Sequence, residues 1–204
     1  SLTSKYEHFH DWKRIREDEE GVVSLDTILK GVCEKSRLLD LFENFILFDS
    51  SVGKLAKLVA RNHQFIGVNK AIEHFQSQTA RFKNGAISAT EAQRLGVFWH
   101  TQGSGKSYSM VFLCQKIQRQ FGGAYTFVVV TDRVELDKQI YGTFAGVGAV
   151  TNKKARAGSG KDLKELLEKD EKYIFTLIHK FNFDQKITER ENIIVISDEA
   201  HRTQ

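Results

Sequence analysis

The stretch Leu95-Gly96-Val97-Phe98-Trp99-His100-Thr101-Gln102-Gly103-Ser104-Gly105-Lys106-Ser107 decides how the rest of the chain is read. Its first five residues read as a short buried strand. A glycine loop follows, and apolar periodicity then predicts a helix from Lys106 to about Gln120. Gly103 and Gly105 let the backbone curl around Ser104, so that successive N–H groups face one point at the positive end of that helix. Such a cradle suits a phosphate chain. Lys106 then reaches the β- and γ-phosphates of a triphosphate, and the Ser107 hydroxyl serves as a ligand for Mg2+. The general pattern has glycine where His100 stands, but its Gly-x-Gly-Lys-Ser half is intact. The string recurs at Gly158-Ser159-Gly160-Lys161 without a preceding strand, and with Asp162 in place of the hydroxyl. That copy reads as a surface loop.

Outward from the loop, Gly122-Gly123 ends the helix and Tyr125–Val130 is a second apolar strand. A helix over about 134–144, a basic glycine-rich loop over 148–160 and a helix over about 162–168 follow. Strands are expected at 173–177 and 192–197. Strands alternating with helices predict a parallel sheet with right-handed crossovers, and continuous apolar runs predict that both its faces are covered. The last strand ends in Asp198-Glu199-Ala200-His201. A carboxylate at the tip of a neighbouring strand suits a magnesium shell, so Asp198 is read as the metal residue and Glu199 as the group that orients the attacking water.

The N-terminal side is different in kind. Phe9, Trp12 and Ile15 form a weak helical stripe, and Ser24 is placed to cap a helix carrying Leu25, Ile28, Leu29 and Val32. The Phe45-Ile46-Leu47-Phe48 run reads either as a helix end or as a short buried strand. Ser50-Ser51-Val52-Gly53 is the best boundary signal. Beyond it Leu55, Leu58 and Val59, then Phe65, Val68, Ile72 and Phe75, recur at helical spacing. The expected division is therefore a mostly helical connector over 1–50 and an α/β lobe over 51–204.

Composition sets outer limits. The 204 residues contain no proline, so the 15 glycines must supply the turns. A hydrophobic fraction of 41% with 27% charged residues describes a globular chain rather than a disordered one. The net charge of +4 permits nucleic-acid binding without requiring it. Cys33 and Cys114 stand far apart without metal-ligand spacing and read as reduced core thiols. No apolar run approaches the length of a membrane span, and the start is not a signal peptide.

Four strings together resemble the motor (R) subunit of type I restriction enzymes, within the superfamily 2 DEAD/DEAH-type helicases and translocases. They are Trp99–Ser107, Val130-Thr131-Asp132-Arg133 with Leu136-Asp137-Lys138-Gln139-Ile140, Ile178-His179-Lys180-Phe181, and Ser197–Gln204. The resemblance is densest over 61–204 and implies a RecA-like P-loop lobe that uses ATP and Mg2+. Arg61 and Gln64 match an upstream glutamine motif, implying adenine recognition; read alone, Gln64 is a polar residue on a helix. Thr131, Asp132 and Arg133 match a motif near the DNA path; read alone, Asp132 is a helix N-cap. Thr176 and Lys180 match a further DNA-contacting motif, and His201 the position that couples ATP state to DNA.

The resemblance also implies double-stranded DNA, a modification (methyltransferase) subunit and a specificity subunit as partners, and the cytoplasm of a bacterium or archaeon as the setting. The absence of a Glu-x-Lys string argues that the family's nuclease centre lies outside these residues, and the second motor lobe is expected beyond Gln204. The basic loop with Lys153, Lys154, Arg156 and Lys161 reads as a solvated insertion or as a DNA contact. A strand-separating helicase lobe and a non-hydrolysing nucleotide-binding module stand as alternative functions.

Overall fold

The computed structural model describes residues 9–51, 53–99, 101, 103–152, 155–183 and 186–198. By its contacts the chain divides into two compact units: Ser1–Leu47 with Lys57–Leu113, and Phe48–Ala56 with Cys114–Gln204.

In the first unit Ser24 caps α1 (Leu25–Ile28), its side chain accepting from Thr27 N, and a π turn over Leu29–Cys33 leads on to α2 (Lys35–Asn44). The Phe45–Phe48 run resolves as a strand, β1 (Ile46–Asp49), which pairs with β2 (Ala56–Val59). The helical spacing at Leu55, Leu58 and Val59 was thus misleading: those residues lie in or beside β2, and α3 (Asn62–Lys83) begins only afterwards. Four rings form this unit's core. Phe65 of α3 meets Trp12 at 5.5 Å and Phe45 at 4.7 Å, and Phe45 meets Phe112 at 5.5 Å. Trp12 lies so close over Gly31 that a Cβ there would stand 2.4 Å from its indole nitrogen. The polar segment expected over 81–90 holds the end of α3 and the start of a single-turn helix, α4 (Ala89–Ala92), capped by Ser88.

Residues 95–99 are not a buried strand. They adopt no regular structure; Val97 is 95% and Trp99 84% exposed. A strand needs a hydrogen-bonding neighbour, and this run has none among the described strands, while Gly96 at φ 115° breaks its extension. The ring of Phe98 rests instead against α3 at Gly67, where no Cβ stands in its way.

Helix α5 (Lys106–Phe121) starts where expected, and Gly122 at φ 60° ends it. The second unit is built on a parallel sheet of β3 (Thr126–Thr131), β4 (Tyr173–Leu177) and β5 (Ile193–Ser197), in the order β4-β3-β5. Helices α6 (Val134–Gly146) and α7 (Gly160–Glu168) connect along the chain. Alternate side chains point to opposite sheet faces. Val128, Val130 and Ile174 pack with Leu163, Leu166 and Leu167 of α7. Tyr173 and Phe175 each meet Phe144 of α6, edge-on at 5.2 Å. The expected α/β class with a covered parallel sheet is therefore present, although β5, with Val195 exposed, is covered less fully than β3 and β4. The repeated Gly-Ser-Gly-Lys string is not all loop: Ser159 caps α7 by accepting from Asp162 N, and Gly160 and Lys161 are its first residues.

Candidate phosphate loop and strand-end site

The phosphate loop lies in the first unit. Gly103 and Gly105 hold φ values of 77° and 87°, a region that side-chain-bearing residues seldom occupy, so both glycines are required by conformation. A Cβ at Gly105 would also stand 2.8 Å from the Gln64 amide nitrogen and would push that side chain aside. Lys106 and Ser107 are the first two residues of α5, and both are half-buried. Their backbone N–H groups lie in the helix's first turn, at the positive end of its dipole. An anion finds donors and a favourable dipole at such a place.

The first turn of α3 holds this loop from behind. Gln64 is buried; its Oε1 accepts from Arg61 N at 2.9 Å and its Nε2 donates to Gly105 O at 3.0 Å. Its amide therefore serves both the helix start and the loop, while Arg61 is exposed. His63 Nε2 lies 3.0 Å from Ser104 O. A carbonyl oxygen only accepts, so that ring nitrogen carries the hydrogen. Asn62 turns the other way, its Oδ1 accepting from Lys13 N and Arg14 N and its Nδ2 donating to Arg14 O. Asn62 and His63 escaped the sequence reading. Their only signal was a run of polar side chains in the first turn of a helix.

In the second unit the remaining candidates gather at the C-terminal ends of the parallel strands, the edge where α/β sheets hold ligands. The register pairs Val130 with Ser197 and with Thr176, and Thr131 with Leu177. Asp198 follows β5; its N–H donates to Val130 O at 2.9 Å and the residue is buried. Thr131 and Thr176 are buried within the sheet, whereas Arg133 is exposed. Asp132 is not the cap of α6. Arg133 occupies the cap position, and Asp132 Oδ2 lies 3.5 Å from its guanidinium while Oδ1 is buried without a hydrogen-bond partner. Lys180 donates its ammonium to Ala157 O. Glu199 and His201, like His100, Gln102, Lys153 and Lys154, lie outside the described residues.

The residues fit the groups expected of them. The two positive-φ glycines leave room for a phosphate chain at the start of α5, and the Ser107 hydroxyl in the first unit and the Asp198 carboxylate in the second are each, taken alone, hard oxygen donors of the kind magnesium prefers. No helix among the described residues is long and apolar enough to cross a membrane.

Residues 63–204 match the SWI2/SNF2 ATPase family. The whole chain is 37% identical to the type I restriction enzyme HindI endonuclease subunit of Haemophilus influenzae and covers 20% of that protein. It is 33% identical over its whole length to a putative type I restriction enzyme MjaIXP endonuclease subunit of Methanocaldococcus jannaschii, covering 21%. The chain thus spans about a fifth of the length of these relatives. The C-terminal part of a putative type I restriction enzyme MpnIIP endonuclease subunit, from Mycoplasma pneumoniae, is 30% identical over 83% of each chain. The chain belongs to the SWI2/SNF2 ATPases and, among them, to the endonuclease subunits of type I restriction enzymes, of which it forms a helicase-like segment.

Proposed function

We propose that this segment is the Mg-ATP-binding motor lobe of a DNA translocase, acting on double-stranded DNA within a complex that also holds modification and specificity subunits, in the cytoplasm. The observation that carries the reading is the loop itself: two glycines at positive φ opening directly into α5, with Lys106 as the helix's first residue. Backbone N–H groups of the loop bind the phosphates, and the Lys106 ammonium offsets charge on the transferring phosphoryl group. Bound magnesium would supply electrostatic stabilisation of that same charge. Ser107 and Asp198 are its protein ligands in this reading, and Glu199 orients the water. Gln64 and Arg61 face the adenine side, which requires the Gln64 amide to exchange one of its present partners for the base. Arg133 is the exposed DNA-contact candidate; Thr131, Thr176 and Lys180 contribute by shaping the same strand-end surface, and His201 couples it to the nucleotide.

Titrating a fluorescent ATP analogue with Mg2+ against the whole subunit and its Lys106→Ala variant tests the core of this. The loss of a charge-assisted contact predicts binding weaker by about ten- to a hundredfold; equal binding by both proteins sinks the site. Translocation is separated from strand separation by a triplex-displacement assay run beside an unwinding assay. Displacement without unwinding is expected.

A further inference from the structure

We infer that His63 is a positioning residue for the phosphate cradle. It sets the direction of a backbone donor through the carbonyl on the other side of the same peptide. The inference rests on the reading that nucleotide phosphates bind at residues 103–107. A trans peptide is planar, with its C=O and N–H pointing in opposite directions. The Ser104 carbonyl shares its plane with the Gly105 N–H. Because His63 Nε2–H donates to Ser104 O at 3.0 Å, that carbonyl is turned toward α3 and the Gly105 N–H is turned away from it. The next carbonyl, Gly105 O, is held both by Gln64 and by the first turn of α5, where Tyr108 N and Ser109 N donate to it at 3.1 and 3.2 Å, and this turns the Lys106 N–H outward. Two consecutive donors thus face away from α3.

Glycine makes this control necessary. With φ of 77° and 87° flanking Ser104, the Ser104–Gly105 peptide is free to flip where no external tie holds it, since glycine has little conformational preference of its own, whereas the Gly105–Lys106 peptide is also held by the first turn of α5. A flip would present a carbonyl oxygen to the phosphates in place of an N–H. Asn62 completes the device. It clasps the backbone of Lys13 and Arg14 with three hydrogen bonds of 2.8–3.2 Å and so fixes the turn from which His63 reaches the loop. Residues 13 and 14 are therefore linked to the phosphate loop through two adjacent side chains. Neither His63 nor Asn62 touches the nucleotide in this arrangement.

The test compares side chains of similar size that differ only in whether they donate. The Nε2 of glutamine reaches the place of the histidine Nε2, whereas leucine is neutral and has no donor. The whole subunit and its Lys106→Ala, His63→Gln, His63→Leu and Asn62→Ala variants are titrated with the fluorescent ATP analogue and Mg2+, and their melting temperatures are measured without nucleotide. His63 is exposed, so melting is expected to be unchanged in both His63 variants. His63→Leu is expected to bind about three- to tenfold more weakly, the value of one neutral hydrogen bond, and His63→Gln to bind within about twofold of the unmodified subunit. Asn62→Ala should fall between them. If Lys106→Ala loses binding while His63→Leu does not, the phosphate site stands and the positioning role is overturned. If glutamine fails as badly as leucine, donation is not what His63 supplies, and the inference is equally lost. If Lys106→Ala binds as well as the unmodified subunit, the nucleotide does not sit on this loop, and the inference falls together with that reading.

Discussion

Asp137 shows how a single side chain settles an ambiguity that composition leaves open. It is buried on α6, its Oδ2 accepting from both Arg156 Nε, at 2.9 Å, and Arg156 Nη2, at 2.5 Å. Arg156 also lies 5.6 Å from the Tyr141 ring. Its charge is therefore engaged inside the unit. Asp137 Oδ1 is already buried without a hydrogen-bond partner, so removing the arginine would strand a buried carboxylate. Arg156→Met should destabilise the protein by about 2 kcal/mol, less than a fully buried pair would lose because the arginine is 35% exposed. Urea unfolding at neutral pH measures this; a change under about 0.5 kcal/mol would show that the pair is dispensable.

Two other buried groups set the alkaline limit. Burial pushes the Cys114 thiol and the Tyr173 hydroxyl well above their ordinary values of 9.0 and 10.0. Above about pH 9 the unfolded chain gives up protons that the folded chain keeps. Stability is thus fully present below pH 9 and declines as pH rises beyond it, and Cys114→Ala should flatten the first part of that decline. Melting temperatures from pH 8 to 10.5 measure the slope. Cys33, expected from the sequence to be a core thiol, is instead exposed, and it should react with a thiol reagent in the native protein while the buried Cys114 does not.

At the scale of elements, what was legible followed from how many independent signals agreed. Helix α5 was marked by glycines before it, Lys106 at its start, an apolar stripe and Gly122 at its end, and its bounds were read to within a residue. β3 and β4 were legible because strands buried on both faces are apolar throughout. The errors came from short runs judged on one signal. Leu55, Leu58 and Val59 match a helix by spacing alone, but three positions can satisfy several periods, and pairing with β1 decides for a strand. Residues 95–99 have strand composition, but composition does not supply a neighbouring strand.

The phosphate loop's glycines and lysine were legible because chemistry fixes their spacing. The supporting contacts of Asn62 and His63 were not, because they join segments about 40 to 50 residues apart. Another long-range fit was equally invisible: Trp12 over Gly31. Gly31→Ala should cost about 1–3 kcal/mol, since its Cβ has no room beside the buried indole. In a Trp99→Phe background, where Trp12 is the sole indole, its emission should shift to the red.

On the scale of the whole molecule, exposed apolar side chains are spread along the described residues, from Phe9 to Val195, and the most exposed is Val97. Val97 and Trp99 are almost fully exposed, and Val195 on β5 is 57% exposed. Single exposed apolar residues are ordinary, but a run of them is a site for association. The isolated segment should bind a hydrophobic dye, and Val97→Ser with Trp99→Ser should reduce that binding without lowering the melting temperature. Unchanged dye binding would move the sticky surface elsewhere.

The strand order has a consequence in time. β3 is the centre of the sheet and is buried along its whole length, yet both its partners come later in the chain, and β5 begins about sixty residues after β3 ends. A ribosome adding about 5–20 residues per second needs roughly 3–12 seconds to make that interval. During it six consecutive residues, Thr126-Phe127-Val128-Val129-Val130-Thr131, wait with both edges unfilled until β4 is made and with one unfilled until β5 is. The centre of the finished sheet is thus the most vulnerable stretch of the nascent one, and synthesis rate over 132–192 becomes a determinant of how much of the protein escapes aggregation.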